Sequence, residues 1–223
     1  MVAALCALVS ACDVASGGGG TGDASEVKAT PQASASVVAG AAGLDRMALE
    51  GRDAGGFSVM VPAAGDVVGQ RDVRVAEEGC DSVAYVLSGT VVGEPASTRV
   101  REAAGEGAAV TVVLAEYEGQ QAQRAMDDLS TAVAECAGGF TVTVNGDERK
   151  VGKAAPELAP EGADQAMALG AVVERNGAKS PVKVVVFRKG ARVGYVSAVP
   201  TDKADEDFAV PAAVVDAQLA KLL

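Results

Sequence analysis

The 223-residue chain lacks histidine and tryptophan, contains no isoleucine, and has only 3% aromatic residues. Without histidine it cannot form a Ser-His-Asp triad, a Cys-His dyad or a histidine-ligated zinc site. It also lacks a Walker A sequence, because Gly152-Lys153 is followed by Ala154. Paired carboxylates could support glycosidase-type chemistry, but no pair is singled out by its context among the 30 acidic residues. We therefore expect a protein that is not an enzyme and that needs no cofactor.

The chain has fewer basic than acidic residues, 19 against 30, which gives it a net charge of −11. There is no long basic run, which argues against nucleic acid as a partner. An acidic body is also repelled by anionic lipid. Contact with a membrane would therefore depend on a lipid anchor.

The beginning of the chain carries such an anchor signal. Residues 2–11 are uncharged, too short for a permanent membrane span, and typical of the apolar region of a signal peptide, which we assign to 1–11. The small pair Ser10-Ala11 followed by Cys12 resembles the lipobox of bacterial lipoproteins. In that family the cysteine is diacylated on sulfur and becomes the N-terminus once the preceding peptide is removed. The resemblance implies lipidation of Cys12 and a place on the extracytoplasmic face of the cell membrane.

One feature keeps an alternative open. Signal peptides begin with a basic segment, whereas here Met1 runs straight into apolar residues. Either the true start codon lies upstream or the signal is not functional as written, in which case Cys12 is incidental. Cys6 is a poorer candidate than Cys12 because the bulky Leu5 precedes it.

The composition after Cys12 divides the rest of the chain in two. Residues 12–44 are mostly Gly, Ala, Ser, Thr and acidic residues without an aromatic, so we predict a flexible tether. Residues 45–223 are enough for a single domain with a hydrophobic core. We expect this domain to be monomeric.

Apolar periodicity predicts the elements of the domain. One continuous stripe indicates a long amphipathic helix over 120–136, and a second helix is predicted over 211–222 after Pro211. A short helix is predicted from Cys80 to Leu87, with Gly89 as its stop. Strands are predicted at 66–75, 97–103, 108–117, 140–144, 165–175, 182–189 and 191–199.

Asn145-Gly146 is a strong turn signal at the end of the strand 140–144. The last three strands are predicted to form an antiparallel meander, with turns at Asn176-Gly177 and Lys189-Gly190. Hairpins interspersed with helices predict an α+β fold, in which the long helix and the C-terminal helix pack on an antiparallel sheet.

Two cysteines remain in the domain, Cys80 and Cys136, and both lie on predicted buried helix faces. An even pair in an exported chain indicates one disulfide. The same pattern permits two free buried thiols or a redox pair, although no C-x-x-C spacing supports redox work.

Several segments together resemble the extracytoplasmic sensor domain of PknH-type bacterial kinases, which also occurs on secreted lipoproteins. They are the short helix CDSVAYVL, the strand VTVVLAEY and the helix end AVAECAGGF, within roughly 65–222. The resemblance implies a Cys80–Cys136 disulfide and a sensor of a small-molecule or envelope ligand without known catalytic residues. The chain departs from the family in lacking a second cysteine pair and in having Val133 and Ala134 where an aromatic is common.

Two charged groups are candidate sites. Arg188, Lys189 and Arg192 flank the Gly190 turn and could seat an anionic ligand, or they are ordinary charges at a hairpin tip. Asp202, Asp205, Glu206 and Asp207 could supply oxygen ligands to Ca²⁺, but their spacing does not match D-x-D-x-D-G and a solvated loop is the simpler interpretation. We therefore expect no metal site.

The leading hypothesis is a membrane-anchored, non-catalytic sensor or ligand-binding module. The alternative is a lipid or glycolipid carrier of the cell envelope, with an apolar cavity between sheet and helices. A purely structural envelope protein is a third possibility.

Overall fold

Ten strands form one antiparallel sheet in the part of the chain that the computed structural model describes, residues 43–105, 107–201 and 208–222. The sheet order is β1-β3-β4-β10-β9-β8-β6-β5-β2, and β7 pairs with β8. The strands are β1 (Phe57–Met60), β2 (Val73–Val75), β3 (Ser97–Gly105), β4 (Ala108–Glu116), β5 (Phe140–Val144), β6 (Asp147–Val151), β7 (Ala155–Glu157), β8 (Gln165–Arg175), β9 (Ala178–Lys189) and β10 (Arg192–Pro200).

Tight hairpins connect the later strands, as the turn signals predicted. Asn145-Gly146 and Asn176-Gly177 both have positive φ at their two residues, the geometry that asparagine and glycine accept and that suits a two-residue hairpin. In the third hairpin Lys189 pairs with Arg192. The turn is therefore Gly190-Ala191, one residue later than predicted.

The described residues include the helices α1 (Asp81–Leu87), α2 (Gln121–Glu135) and α3 (Ala212–Ala220). Residues 43–47 are also helical, and Gln70–Asp72 form a short 3₁₀ turn. Within these ranges no helix combines the length and apolar character needed to cross a membrane.

The central strands are buried on both faces, because alternate residues of each strand enter different cores. In β4, Val113 and Ala115 point to the face that carries α1 and α2, which we call the disulfide face. Val112 and Leu114 point to the opposite, terminal face, which carries α3 and the segment around Leu44.

One disulfide joins the two helices of the disulfide face. Cys80 immediately precedes α1, Cys136 immediately follows α2, and their Cα atoms are 5.7 Å apart. Both cysteines are buried in the core of this face. The disulfide is confirmed, and the two free thiols left open by the sequence are excluded.

The structure corrects several boundaries. Leu44, predicted as the last residue of the tether, is 1% exposed and packs in the core of the terminal face. Strand β9 begins at Ala178 rather than 182, because the two-residue turn at Asn176-Gly177 pairs Ala178 directly with Arg175. Strands β1, β6 and β7 were not predicted. The signal segment, Cys12 and the tether up to residue 42 lie outside the described residues.

A pair of buried tyrosines ties the chain after α1 to the centre of the sheet. The Tyr117 hydroxyl donates to the Val92 carbonyl at 2.6 Å and lies 2.6 Å from the Tyr195 hydroxyl. The Val92 N–H donates to the Tyr195 oxygen at 3.4 Å. Burial raises the pKa of Tyr195 to about 12 and also raises the pKa of Tyr117.

These shifts predict a loss of stability in alkali. Because the folded chain holds the two phenolic protons more tightly than the unfolded chain does, their contribution is complete below pH 10 and falls as pH rises toward 12. Urea unfolding of the wild type should therefore show a falling midpoint across this window.

Tyr117→Phe should be less stable at pH 7 by about 1–3 kcal/mol, since it leaves the buried Val92 carbonyl without its donor.

The same variant should also show a shallower decline between pH 10 and 12 than the wild type. Tyr85→Phe is the matched control at pH 7, where it should leave the stability nearly unchanged, because Tyr85 is only half-buried and its hydroxyl has no hydrogen bond within the described residues. Burial raises the pKa of Tyr85 as well, so this control does not apply to the alkaline slope. Equal alkaline slopes for the wild type and Tyr117→Phe would contradict the assignment.

Candidate functional site

A groove opens on the disulfide face where the helical layer stops. Its volume is about 370 Å³. Its floor consists of the ends of β1, β3, β4 and β10, and the residues just after α1 form one wall. The lining residues are Met60, Leu87, Ser88, Gly89, Glu102, Ala103, Ala104, Ala109, Val110, Thr111, Arg149, Ser197 and Val199.

The strand register lays out a row of side chains across the groove. Met60 on β1 is opposite Glu102 on β3, Glu102 is opposite Thr111 on β4, and Thr111 is opposite Ser197 on β10. Directly opposed residues on antiparallel strands have their Cβ atoms about 4.5–5.5 Å apart and on the same face. The groove floor is therefore a continuous row with one apolar end and three polar positions.

Arg149 enters the groove from another part of the sheet. It lies on β6, which is separated from β10 by β8 and β9 in the sheet order. Its Nε is buried and makes no hydrogen bond to any described residue. None of the ion pairs within 4.0 Å among the described residues involves Arg149. The guanidinium is therefore a partly buried charge that no carboxylate of the described chain neutralises at close range.

The surroundings of Arg149 are unfavourable for a positive charge. Burial lowers the pKa of its guanidinium, and the nearby Arg175 lowers it further, while Asp147 opposes both effects. Asp147 itself forms an ion pair with Arg175. Arginine nevertheless stays protonated in proteins, so Arg149 carries its full charge into the groove.

Ser197 provides a second buried polar group without a partner. The residue is 8% exposed, and its Oγ makes no hydrogen bond within the described ranges. Buried hydroxyls normally have a partner, because desolvation without a hydrogen bond costs about 1–3 kcal/mol. Arg149 Nε and Ser197 Oγ are thus two unsatisfied buried donors that line one cavity.

Apolar side chains complete the groove. Met60 is 50% exposed and Val199 is 37% exposed, whereas most large apolar residues of the described chain are buried. A second cavity of about 90 Å³ adjoins the groove and shares Leu87, Ser88, Arg149 and Val199 with it. The remaining lining of this recess is apolar: Ala84, Val142, Val151, Val173 and Val182.

The disulfide places the wall of the groove. The disulfide at Cys80 fixes the position of the first residue of α1. Because α1 has only seven residues, Leu87 at its other end lies about two helical turns from Cys80. Gly89 follows with φ of 75°, and a Cβ on it would come within 3.3 Å of the Thr111 side chain. The chain after α1 therefore lies directly on the polar row.

The predicted basic spot is elsewhere, at the β9–β10 hairpin tip. Asp164 lies 3.8 Å from Arg188 and 3.2 Å from Lys189, and Arg192 pairs with Glu116 at 3.0 Å. The Gly190 N–H donates to Asp164, and together with Lys189 it lowers the pKa of that carboxyl. The ordinary hairpin-tip role accounts for these contacts, and anion binding there stays a prediction.

The other predicted sites give no ligand set. The acidic cluster at 202–207 lies outside the described residues, as does Cys12. Within the described ranges no three His, Cys, Asp or Glu side chains come together as metal ligands. Sequence inspection missed Arg149 altogether, because β6 reads DERKV and looks like a solvated charged segment.

Two further cavities are less suited to a ligand. One of about 370 Å³ lies around Gln70 and Val100, but the Gln70 amide already donates to the carbonyls of Val91 and Gly93 at 2.8 Å. Another, of about 540 Å³, is lined mainly by exposed residues such as Arg52 and Ser58. Neither contains a buried side-chain donor without a partner among the described residues.

Comparison with known proteins places the fold. No family model and no curated protein sequence matches the chain. It is similar to the crystal structure of the extracellular domain of PknH from Mycobacterium tuberculosis, with a TM-score of 0.51 and 14% identity over 81% of this chain and 96% of that one. The fold is that of the PknH extracellular domain. The resemblance predicted from the sequence is thereby confirmed.

A second similar structure is a putative uncharacterized protein from Mycobacterium smegmatis, with a TM-score of 0.38 and 14% identity over 75% of this chain and 90% of that one. At 14% identity to either protein, the PknH likeness shows the fold alone. The ligand chemistry of the groove therefore depends on the residues of this chain.

Proposed function

We propose that this protein is a non-catalytic, extracytoplasmic ligand-binding module of the sensor type, anchored to the membrane through Cys12, and that the Arg149 groove is its ligand site. The observation that carries the proposal is the pair of unsatisfied buried donors, Arg149 Nε and Ser197 Oγ, in one cavity. A ligand that bonded to both would remove a desolvation cost that the free protein bears.

The fold supports the extracytoplasmic part of the proposal, since the similar PknH structure is of an extracellular domain. The disulfide supports it as well, because such bonds persist in oxidising compartments. Among the described residues the groove is lined by one carboxylate, Glu102, which makes no hydrogen bond to Ser88, Thr111 or Ser197.

The size of the groove favours a small ligand over a lipid with two acyl chains. About 370 Å³ is near the lower end of the range for sites that enclose drug-sized molecules. A two-chain lipid would leave most of its apolar surface in water. Binding of a small molecule is therefore preferred to lipid or glycolipid transport.

The proposal predicts that small ligands converge on the groove. A fragment library of neutral, cationic and anionic compounds should be screened by heteronuclear NMR against the full chain with Cys12→Ala, which removes the acylation site. We expect the hits to shift the amide signals of Leu87, Gly89, Thr111 and Ser197 more than those at the 188–192 hairpin tip.

Ala109→Phe should abolish these shifts, because Ala109 is an exposed residue of the groove that a phenyl ring would fill. Ala178→Phe is the matched control, an equally exposed alanine on β9 outside the groove. Hits that persist in Ala109→Phe, or that cluster at the Gln70 cavity, would count against the proposed site.

A further inference from the structure

We infer that the ligand of this groove is a small anionic amphiphile, with a carboxylate or phosphate head at Arg149 and Ser197 and a short apolar chain along Leu87 and Val199. The inference rests on the proposed function, since it names the class of ligand for the same site.

The head group follows from the charges. Arg149 is the only basic residue that lines the groove or the adjoining recess among the described residues, and it has no carboxylate within 4.0 Å. A guanidinium fork binds the oxygens of carboxylate or phosphate, and such charge-assisted hydrogen bonds are the strongest available to it. The Ser197 hydroxyl is a neutral donor that can bond to an oxygen of the same anionic head group.

The row of side chains orients that head group. Glu102 lies two strands from Ser197, with Thr111 between them. Its carboxylate repels an anion, so the head is confined to the end of the row at Ser197. The chain as a whole carries −11 and does not attract anions from a distance, so selection depends on contact with Arg149.

The apolar part follows from the surfaces next to Arg149. Leu87 and Val199 line both the groove and the recess of about 90 Å³, whose other walls are alanine and valine. Apolar side chains next to a charged anchor, among them the exposed Val199, match a ligand that has an apolar part close to its charge. A single short chain fits this recess, whereas a bulky polar group does not.

The test compares probes that differ in one property at a time. Calorimetric titration of the full chain with Cys12→Ala would use octanoate, octyl phosphate, octyltrimethylammonium, octyl glucoside, acetate and inorganic phosphate. We expect octanoate or octyl phosphate to bind at least tenfold more tightly than the cationic and neutral octyl compounds. Acetate and phosphate should bind more weakly still, because they lack the chain.

Two variants assign the anion preference to Arg149. Arg149→Gln should weaken binding of the anionic octyl compound about 10- to 100-fold, the loss expected for a charge-assisted hydrogen bond, and leave octyl glucoside unchanged. Arg149→Lys should retain part of the preference. Arg124→Gln is the matched control, because this exposed arginine on α2 lies outside both the groove and the recess.

Stability provides a second readout. Since Arg149 has no close partner to lose among the described residues, Arg149→Gln should melt at the same temperature as the parent chain or higher. Preferential binding of octyltrimethylammonium or octyl glucoside, blocked by Ala109→Phe, would overturn the anion inference while the groove stayed a ligand site. An anion affinity equal in Arg149→Gln and the parent chain would overturn it too. If no octyl compound binds and no fragment converges on the groove, both proposals fail.

Discussion

Removal of the Cys80–Cys136 disulfide is expected to lower the free energy of unfolding by about 4 kcal/mol on the chain-entropy model, because the bond closes a loop with a sequence separation of 56. For a domain of this size, that change corresponds to a fall in melting temperature of roughly 8–16 °C. Thermal unfolding of the double variant Cys80→Ala/Cys136→Ala, compared with the oxidised wild type, measures it.

The effect should be concentrated at the groove. Helix α1 has seven residues, too few to be stable by itself in water, so it depends on packing and on its tether to α2. Hydrogen exchange in the double variant should therefore rise most over 81–89, and ligand-induced shifts at Leu87 and Gly89 should weaken.

Reductant supplies the control. Both cysteines are buried, so dithiothreitol should act on the wild type only after partial unfolding, and it should not change the melting temperature of the double variant at all. A double variant that melts within about 2 °C of the oxidised wild type would refute the stabilising role of the bond.

Cys12→Ala is expected to abolish fatty-acid labelling and to move the protein from the membrane fraction to the soluble extracytoplasmic fraction. Stable anchoring needs the apolar area of more than one acyl chain, which diacylation of Cys12 would supply. The chain offers no electrostatic substitute, since its net charge of −11 is repelled by anionic lipid. Loss of the acyl chains should therefore leave no residual attachment.

A clickable fatty acid followed by fractionation tests this expectation. Cys6→Ala is the matched control and should keep both label and membrane association. Label that persists in Cys12→Ala would end the lipoprotein hypothesis.

Much of the secondary structure follows from local signals. The apolar positions of α2 recur at helical spacing, and the structure buries Ala122, Ala125, Met126, Leu129 and Ala132 as that spacing predicts. The two Asn-Gly pairs form their hairpins because few residues other than asparagine and glycine accept positive φ. In α3 the predicted inward residues Val214, Val215, Gln218 and Leu219 are likewise buried.

Weakly patterned elements could not be found in this way. Strand β6 has one apolar residue in five, and it is a strand because the Asn145-Gly146 turn folds it back onto β5. Strand β1 is four residues long and is held by its pairing with β3, which lies some 40 residues further along the chain. Such pairing depends on distant residues and leaves no periodic signal in the strand itself.

The sequence by itself determined the helices with a strong apolar stripe, the two Asn-Gly turns and the absence of histidine chemistry, because each depends on the identity or spacing of nearby residues. It indicated the Cys80–Cys136 bond without excluding free thiols. The tertiary structure alone decided which helices share a face of the sheet and which side chains meet in the groove. Met60, Glu102, Thr111 and Ser197 become neighbours through strand register, and Arg149 joins them only through the order and twist of the sheet. That no described carboxylate lies within ion-pair distance of Arg149 follows only from the folded positions of the described side chains.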